Sequence, residues 1–334
     1  MQAEGFSLIH HDALWTISTA SDDVGIAKFA LEYRSRAGMD INSTTGHLGE
    51  TLLLYAIRLG AHKVCMHLLQ AGADATIGDC KGWTPLMAAA EESPRMHLLM
   101  FALCESMHRE SLHMQSDAYG TFEEGITALH MASVKGNSVL LQLLLANDKV
   151  SVSSCTVGLG GLGKGDYALH LAARHGHILC VEILCAHKRE KVDVMARNLA
   201  GDTALHEPSP RVGGPTRSRA IRLVKLLVEN GCDISAQGAN MDTVLHRSGF
   251  WWREMVQLLI DMGCDTDLLD RNGKTSSQRA YSEGFPSIAA FIEEAESKRA
   301  RKIAFAMGMD RRLGIDSGVM VMIPEVLRMV VDML

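Results

Sequence analysis

The sequence predicts an all-α protein built from stacked helix-turn-helix repeats. Three observations support this prediction: a Thr-x-Leu-x-x-Ala-like anchor recurs, a glycine-containing turn precedes most copies, and an apolar run at helical spacing follows. The anchors begin at Thr51, Thr84, Thr127, Tyr167, Thr203, Thr243 and Thr275. Successive anchors lie 32 to 43 residues apart. Units of this length must stack, because a lone helix pair cannot bury both apolar faces.

Composition agrees with a helical array. The 334 residues are too many for one compact core, 47% are hydrophobic and only 5% are aromatic. The formal net charge of -6 and the lack of a long apolar run give no reason to expect nucleic-acid or membrane binding. The eight cysteines contain no C-x-x-C pair, and the start of the chain lacks a secretory-signal pattern. We therefore expect reduced thiols and a cytoplasmic location, with the nucleus as a further possibility.

Each repeat is read as two short helices. The anchor opens the first helix, and the preceding glycine allows a positive φ in the turn. The second helix carries the apolar run, such as Leu140, Leu141 and Leu144 in the repeat anchored at Thr127. Several second helices are followed by Gly-x-Asp, where glycine is expected to end the helix in a left-handed conformation. These glycines are Gly72, Gly231 and Gly263.

With the anchors TPLM, TALH, YALH and TVLH and the Gly-x-Asp turns, residues 48–296 resemble the ankyrin-repeat family. The resemblance implies an all-α ankyrin-repeat solenoid in which first helices and β-hairpin fingers line a concave groove, with second helices on the back. Residues 6–42 resemble a divergent first unit, so 1–47 is expected to be a capping repeat, and the count is eight units. Departures from the pattern near 106–124, 151–163 and 208–217 are expected to be loop insertions.

Regularly spaced histidines raise the possibility of a metal site. His130, His170, His206 and His246 recur at one position of the anchor, and imidazole is a common zinc ligand. Equivalent positions in stacked repeats are about 10 Å apart, too far to share one ion with bonds of about 2 Å. The family resemblance implies instead that these histidines hydrogen-bond the backbone. We expect no metal and no cofactor.

A glycine-rich stretch at 158–165 raises the possibility of a phosphate-binding loop. It satisfies G-x-x-x-x-G-K with Lys164, but Gly165 stands where such a loop has a hydroxyl residue for magnesium. We interpret it as a flexible inter-repeat finger, and nucleotide binding through Lys164 as the less favoured alternative. No constellation of nucleophile and base is recognisable, so the protein is expected not to be an enzyme.

The predicted interaction surface combines first-helix and finger residues. The first-helix set is Arg58, Glu91, Glu92, Lys135, Arg174, His175 and Trp251. The finger set is Asp79, Lys81, Trp83, Arg197, Asn198, Asn240, Arg271 and Asn272. Trp and Arg are favoured interface anchors. The alternative is that the charges only solvate the array and that the two tryptophans pack between repeats.

Residues 297–334 form a C-terminal segment that carries net charge +3, against -9 for the rest of the chain. Its basic run at 298–302 suits either a solvated helix end or an import or anionic-partner patch. Residues 323–334 have an apolar stripe and are similar to the opening of F-box-like helices, which recruit ubiquitin-ligase scaffolds. A helix that folds back to cap the array is the other interpretation.

These features together predict a monomeric, non-catalytic scaffold that binds a partner protein. The alternative is a substrate-recognition adaptor of a ubiquitin ligase, in which the repeats select the substrate and the final helix recruits the scaffold.

Overall fold

A computed structural model describes residues 22–25, 27–28, 31–32, 40–44, 49–92, 97–107, 125–147, 150–156, 165–188, 191–208, 216–247 and 253–312. The chain divides into two compact units, residues 1–231 and 232–334. Across the residues described, all regular structure is helical, as the sequence predicts. None of the described helices is both long enough and apolar enough to cross a lipid bilayer.

Nine α-helices of the first unit have bounds that the structure describes. They are α1 (Leu52–Arg58), α2 (His62–Gln70), α3 (Pro85–Glu92), α4 (His97–Ser106), α5 (Ala128–Lys135), α6 (Ser138–Leu145), α7 (Ala168–His175), α8 (Ile178–Cys185) and α9 (Arg217–Glu229). The second unit contains α10 (Arg253–Asp261), α11 (Ser276–Ser282) and α12 (Pro286–Arg312).

Helix pairs stack into two layers within the first unit. The first helices α1, α3, α5 and α7 pack in sequence, and so do the second helices α2, α4, α6, α8 and α9. Each second helix contains two adjacent residues that are both at most 2% exposed. These pairs are Val64–Cys65, Leu99–Met100, Leu140–Leu141, Cys180–Val181 and Leu223–Val224. Burying a leucine-sized side chain contributes about 1.5–3 kcal/mol, so these pairs hold neighbouring repeats together.

Polar caps explain where the helices begin and end. The Thr51 side chain accepts a hydrogen bond from the Leu54 amide at 3.3 Å and caps α1. Thr127 caps α5 in a reciprocal capping box with His130. The predicted left-handed glycines after second helices are confirmed: Gly72, Gly231 and Gly263 have φ of 90°, 95° and 96°.

The sixth repeat departs from the predicted two-helix unit. Its first helix is a single 3-10 turn over Ala204–His206. Pro208 has no N–H to donate to the carbonyl of Ala204, so an α-helix cannot continue there. In the seventh repeat, residues 244 and 245 form a turn and residues 246 and 247 are in 3-10 conformation, where an α-helix was expected.

The fingers are tight turns, where β-hairpins were expected. In the sixth-repeat finger, the Asn198 amide donates to the Asp202 carbonyl at 2.9 Å, and the Gly201 amide donates to Asn198 at 2.8 Å. The finger at Asp79 closes in the same way through Gly82. Among the described residues, Cys155 and Tyr167 pair in an isolated antiparallel β-bridge.

The second unit is organised around α12. This helix packs on α10 and α11 and buries Ile292 and Ala295. The Arg253 guanidinium lies over the Phe291 ring, 5.1 Å from its centroid. The basic run at 298–302 lies within α12. Residues 323–334 and most of the expected capping repeat lie outside the described residues.

Candidate functional site

In three described fingers the base is fixed by a buried acidic or amide side chain five residues before the anchor: Asp79, Asn198 and Asp270. The finger before Thr243 has Gly238 at this position and closes through backbone hydrogen bonds. Asp79 accepts the amides of Lys81 and Trp83 through one oxygen, both at 2.9 Å. Asp270 accepts the amides of Asn272 and Lys274 at 2.8 and 3.0 Å. These bonds lock the turn and leave its tip exposed.

Arg58 is held by carboxylates of its own repeat and of the adjacent finger. Its guanidinium contacts Glu50 at 2.5 Å and Asp79 at 2.7 Å. The Asp79 side chain is 1% exposed. The predicted binding residues Arg58 and Asp79 therefore hold a finger against the first helix of the preceding repeat.

Arg174 occupies the corresponding place on α7. It forms a bidentate pair with Glu207 at 2.8 and 2.9 Å and contacts Asp166 at 2.5 Å. Asn198 donates to Asp166 at 2.8 Å. Burial alone would lower the pKa of Arg174, but hydrogen bonds and charge interactions with Glu207 and Asp166 outweigh it and raise that pKa. Because its guanidinium is bound by Glu207 and Asp166, Arg174 contributes to the stability of the fold.

Three of the finger residues expected to be accessible are buried. Trp83 is 6% exposed, Asp79 is 8% and Asn198 is 6%. The backbone amide of Trp83 donates a hydrogen bond to the Asp79 carboxylate. The Asn198 side chain donates a hydrogen bond to Asp166 across the base of its finger. The expectation that these side chains stand open on the fingers is therefore corrected, because an Asx-capped turn buries its own base.

The other predicted residues outside the cavity described below are exposed, half-buried or outside the described residues. Lys81 and Arg197 are exposed on their fingers. Glu91 and Lys135 form a loose surface pair, with the ammonium nitrogen 3.8 Å from the carboxylate. His175 is half-buried against His177, and burial, followed by the charges of its neighbours, lowers its pKa. The side chain of Glu92 and the whole of Trp251 lie outside the description.

The structure brings three predicted finger residues of the second unit together around one cavity. Asn240, Arg271 and Asn272 line a cavity of about 380 Å³. The Arg271 amide donates to the Asn240 carbonyl at 2.8 Å and so joins two successive fingers. The remaining lining residues are Asp270, Lys274, Arg279, Ser282 and Glu283.

The charges in this cavity are unevenly compensated. Arg279 contacts Asp242, Asp270 and Glu283 at 3.3, 3.8 and 2.8 Å. Arg271 and Lys274 make no ion pair with any described residue. The cavity therefore presents two uncompensated cations at its wall, and it suits an anionic group of a ligand. Sequence reasoning missed Lys274, although it directly precedes the anchor at Thr275.

Met241 is a further residue that sequence reasoning missed. The position two residues before the anchor is glycine in six repeats, all with positive φ: Gly49, Gly82, Gly125, Gly165, Gly201 and Gly273. In the seventh repeat it is Met241, which adopts φ of 56° and is 52% exposed. An L-residue costs about 1–2 kcal/mol in this conformation. The missing glycine in the repeat alignment is the signal that would have found it.

The recurring histidines are structural. The Thr127 amide donates to Nδ1 of His130 at 3.1 Å, and Nε2 of His130 donates to the Ser154 carbonyl at 3.0 Å. His246 binds the carbonyl of Lys274 at 3.1 Å in the same manner. The expectation that these side chains hold backbone is confirmed at both positions. Of the glycine-rich stretch, Gly165 is described and takes φ of 65°, whereas Lys164 lies outside the described residues.

This architecture matches a known family. A family model described as ankyrin repeats (3 copies) matches residues 17–106 and 129–210, slightly more than half of the chain. The chain therefore belongs to the ankyrin-repeat family, and its fold is an all-α repeat solenoid. Ankyrin repeats are in general protein-protein interaction modules.

Proposed function

We propose that this protein is a non-catalytic scaffold that binds a partner protein through the exposed tips of its fingers and its first helices. The observation that carries the proposal is Met241, a large apolar side chain exposed at a fingertip in a conformation suited to glycine. Backbone strain of this kind is concentrated at functional sites. The folded chain alone gains little from an exposed methionine there, whereas a partner gains an apolar contact.

The cavity beside this fingertip supports the same assignment. Asn240 belongs to the Met241 finger and also lines the cavity that carries Arg271 and Lys274. An apolar contact next to two uncompensated cations suits a partner segment in which an apolar residue neighbours an acidic one. Asp270 fixes the finger that carries Arg271, and this reduces the conformational entropy lost on binding.

The test uses Met241→Gly, because binding and folding predict opposite changes. Glycine relieves the positive φ, so the variant is expected to raise the free energy of unfolding by about 1 kcal/mol. If Met241 contacts the partner, affinity capture by the same variant falls at least about tenfold. Leu269→Ala, which changes another exposed apolar residue of this unit, serves as the matched control.

The cavity is tested separately with Arg271→Glu combined with Lys274→Glu. Neither side chain pairs with another described residue, so thermal stability should change little, while capture falls and loses its salt dependence. Undiminished capture by both this double variant and Met241→Gly would contradict the proposed surface.

The adaptor function is a second candidate, which rests on the resemblance of residues 323–334 to F-box-like helices. If the adaptor function is correct, deletion of residues 323–334 abolishes binding to a ubiquitin-ligase scaffold and leaves the thermal unfolding curve unchanged. Loss of folding on deletion would instead favour the capping helix.

A further inference from the structure

The second helices of the first unit carry an exposed stripe on the side away from their buried pairs. The residue preceding each buried pair is solvent-accessible: Lys63, Leu98, Val139, Leu179 and Arg222. The three central members are apolar and are 83%, 38% and 62% exposed, in that order. Phe101, one turn after Leu98 on α4, is 52% exposed.

Register distinguishes this stripe from apolar residues scattered singly on a surface. Its members occupy one structural position in consecutive repeats, and α4, α6 and α8 pack side by side. Packed helices have axes about 8–10 Å apart. Leu98, Val139 and Leu179 therefore form a row with this spacing across the three helices.

An α-helix matches that spacing. It rises 1.5 Å per residue, so residues seven apart on one face are about 10.5 Å apart. A helix laid across α4, α6 and α8 could place an apolar residue on each member of the row. This is the helix-on-surface mode of peptide recognition, with anchors repeated along one helical face.

Basic residues of α9 lie next to the row of Leu98, Val139 and Leu179 and favour acidic residues at one end of the bound helix. Helix α9 packs beside α8 and contains four basic residues and one acidic residue. Arg219, Arg222 and Lys225 are exposed on it, and only Arg222 has a described ion-pair partner, Glu182 at 3.1 Å. An acidic group on the occupant beyond its apolar contacts would meet this basic face.

We infer that this outer surface of the first unit, formed by Leu98, Val139, Leu179 and the basic face of α9, docks an amphipathic helix of a partner protein that carries acidic residues at one end. The surface is distinct from the proposed fingertip site. It gives the scaffold a second binding face.

Binding can be measured by fluorescence anisotropy with a synthetic helical peptide of about 25 residues, with leucines seven apart and glutamates at one end. A control peptide has lysines in place of the glutamates. The full chain should bind the acidic peptide at least about tenfold more tightly than the basic one, and salt should weaken the acidic complex.

Variants locate the binding. Leu98→Glu with Leu179→Glu should reduce affinity for the acidic peptide at least about tenfold, whereas Leu59→Glu, an exposed leucine of α1's C-cap, should not. Arg219→Glu with Lys225→Glu should reverse the preference between the two peptides. Met241→Gly should leave peptide binding intact, so failure here is distinguishable from failure of the fingertip site.

Several results would overturn the inference. They are no peptide binding by the wild-type chain, equal binding by all variants, dissociation of a self-associated form by Leu98→Glu with Leu179→Glu, and binding to anionic phospholipid vesicles with none to the peptide. The third would assign the surface to a second copy of this chain. The fourth would assign it to a membrane.

Discussion

At Tyr167 the recurring threonine anchor is lost, and a buried histidine loses a partner with it. His170 is 1% exposed and still donates from Nε2 to the Asp202 carbonyl, but its Nδ1 has no hydrogen-bond partner among the residues that the structure describes. At the equivalent place, Thr127 supplies both an amide at 3.1 Å and a hydroxyl at 2.9 Å to His130. A buried polar atom left unpaired costs about 1–3 kcal/mol.

Tyr167→Thr should therefore stabilise the protein. Restoring the capping box is expected to raise the free energy of unfolding by about 1 kcal/mol, measured by urea denaturation. Thr127→Ala, which removes an intact box, should lower it by a similar amount. A Tyr167→Thr variant no more stable than wild type would show that the tyrosine ring, 5.6 Å from the His170 ring, contributes as much as the missing bonds.

Arg174 should be among the most sensitive positions of the first unit. Its removal leaves Asp166 and Glu207 buried without their cation, their side chains being 0% and 8% exposed. Arg174→Ala is expected to cost about 3–5 kcal/mol. Lys135→Ala, which breaks only an exposed contact, should change stability by less than about 1 kcal/mol. Thermal melting of the two variants makes the comparison, and equal losses would refute the structural role of Arg174.

On the scale of the helix, the histidine in the capping box makes α5 sensitive to pH. Burial lowers the pKa of His130 to about 4, partly offset by its bond to Ser154. The ordinary value in an unfolded chain is about 6.5. Between these values the unfolded state binds more protons, so stability is complete above pH 6.5 and is lost as the pH falls towards 4.

The chain supplies a control for this effect, since α11 builds the same capping box from Thr275 and Gln278. His130→Gln should keep the helix cap but remove the titration, so its stability should vary less between pH 7 and pH 5 than that of the wild type. Chemical denaturation at the two pH values measures the slope. An unchanged slope would assign the acid sensitivity to other groups, such as His246, whose pKa burial also lowers.

For the whole molecule, the repeat and its helix pairs were predictable because they follow from periodicity. The anchors and left-handed glycines are each read from a few adjacent residues, and the family resemblance implies the backbone-bound histidines. The burial of Trp83 and Asn198 could not be predicted from the sequence, because it depends on hydrogen bonds that bury the base of a finger. The ion pairs of Arg174 could not be predicted either, since its partners Asp166 and Glu207 are eight and 33 residues away in sequence. Spacing in sequence does not show which side chains of different repeats pair with each other.

The eight free cysteines report the opening of both units. Burial raises the pKa of Cys180 in the first unit and Cys264 in the second to about 11, whereas Cys80 is exposed. Because the thiolate is the nucleophile, alkylation by iodoacetamide at pH 8 should modify Cys80 quickly and the other two only after their units unfold. Mass spectrometry of each site across a urea series would then give an unfolding curve for each unit. Cys80→Ser should remove the fast phase, and modification of Cys264 as fast as Cys80 in native buffer would contradict its burial.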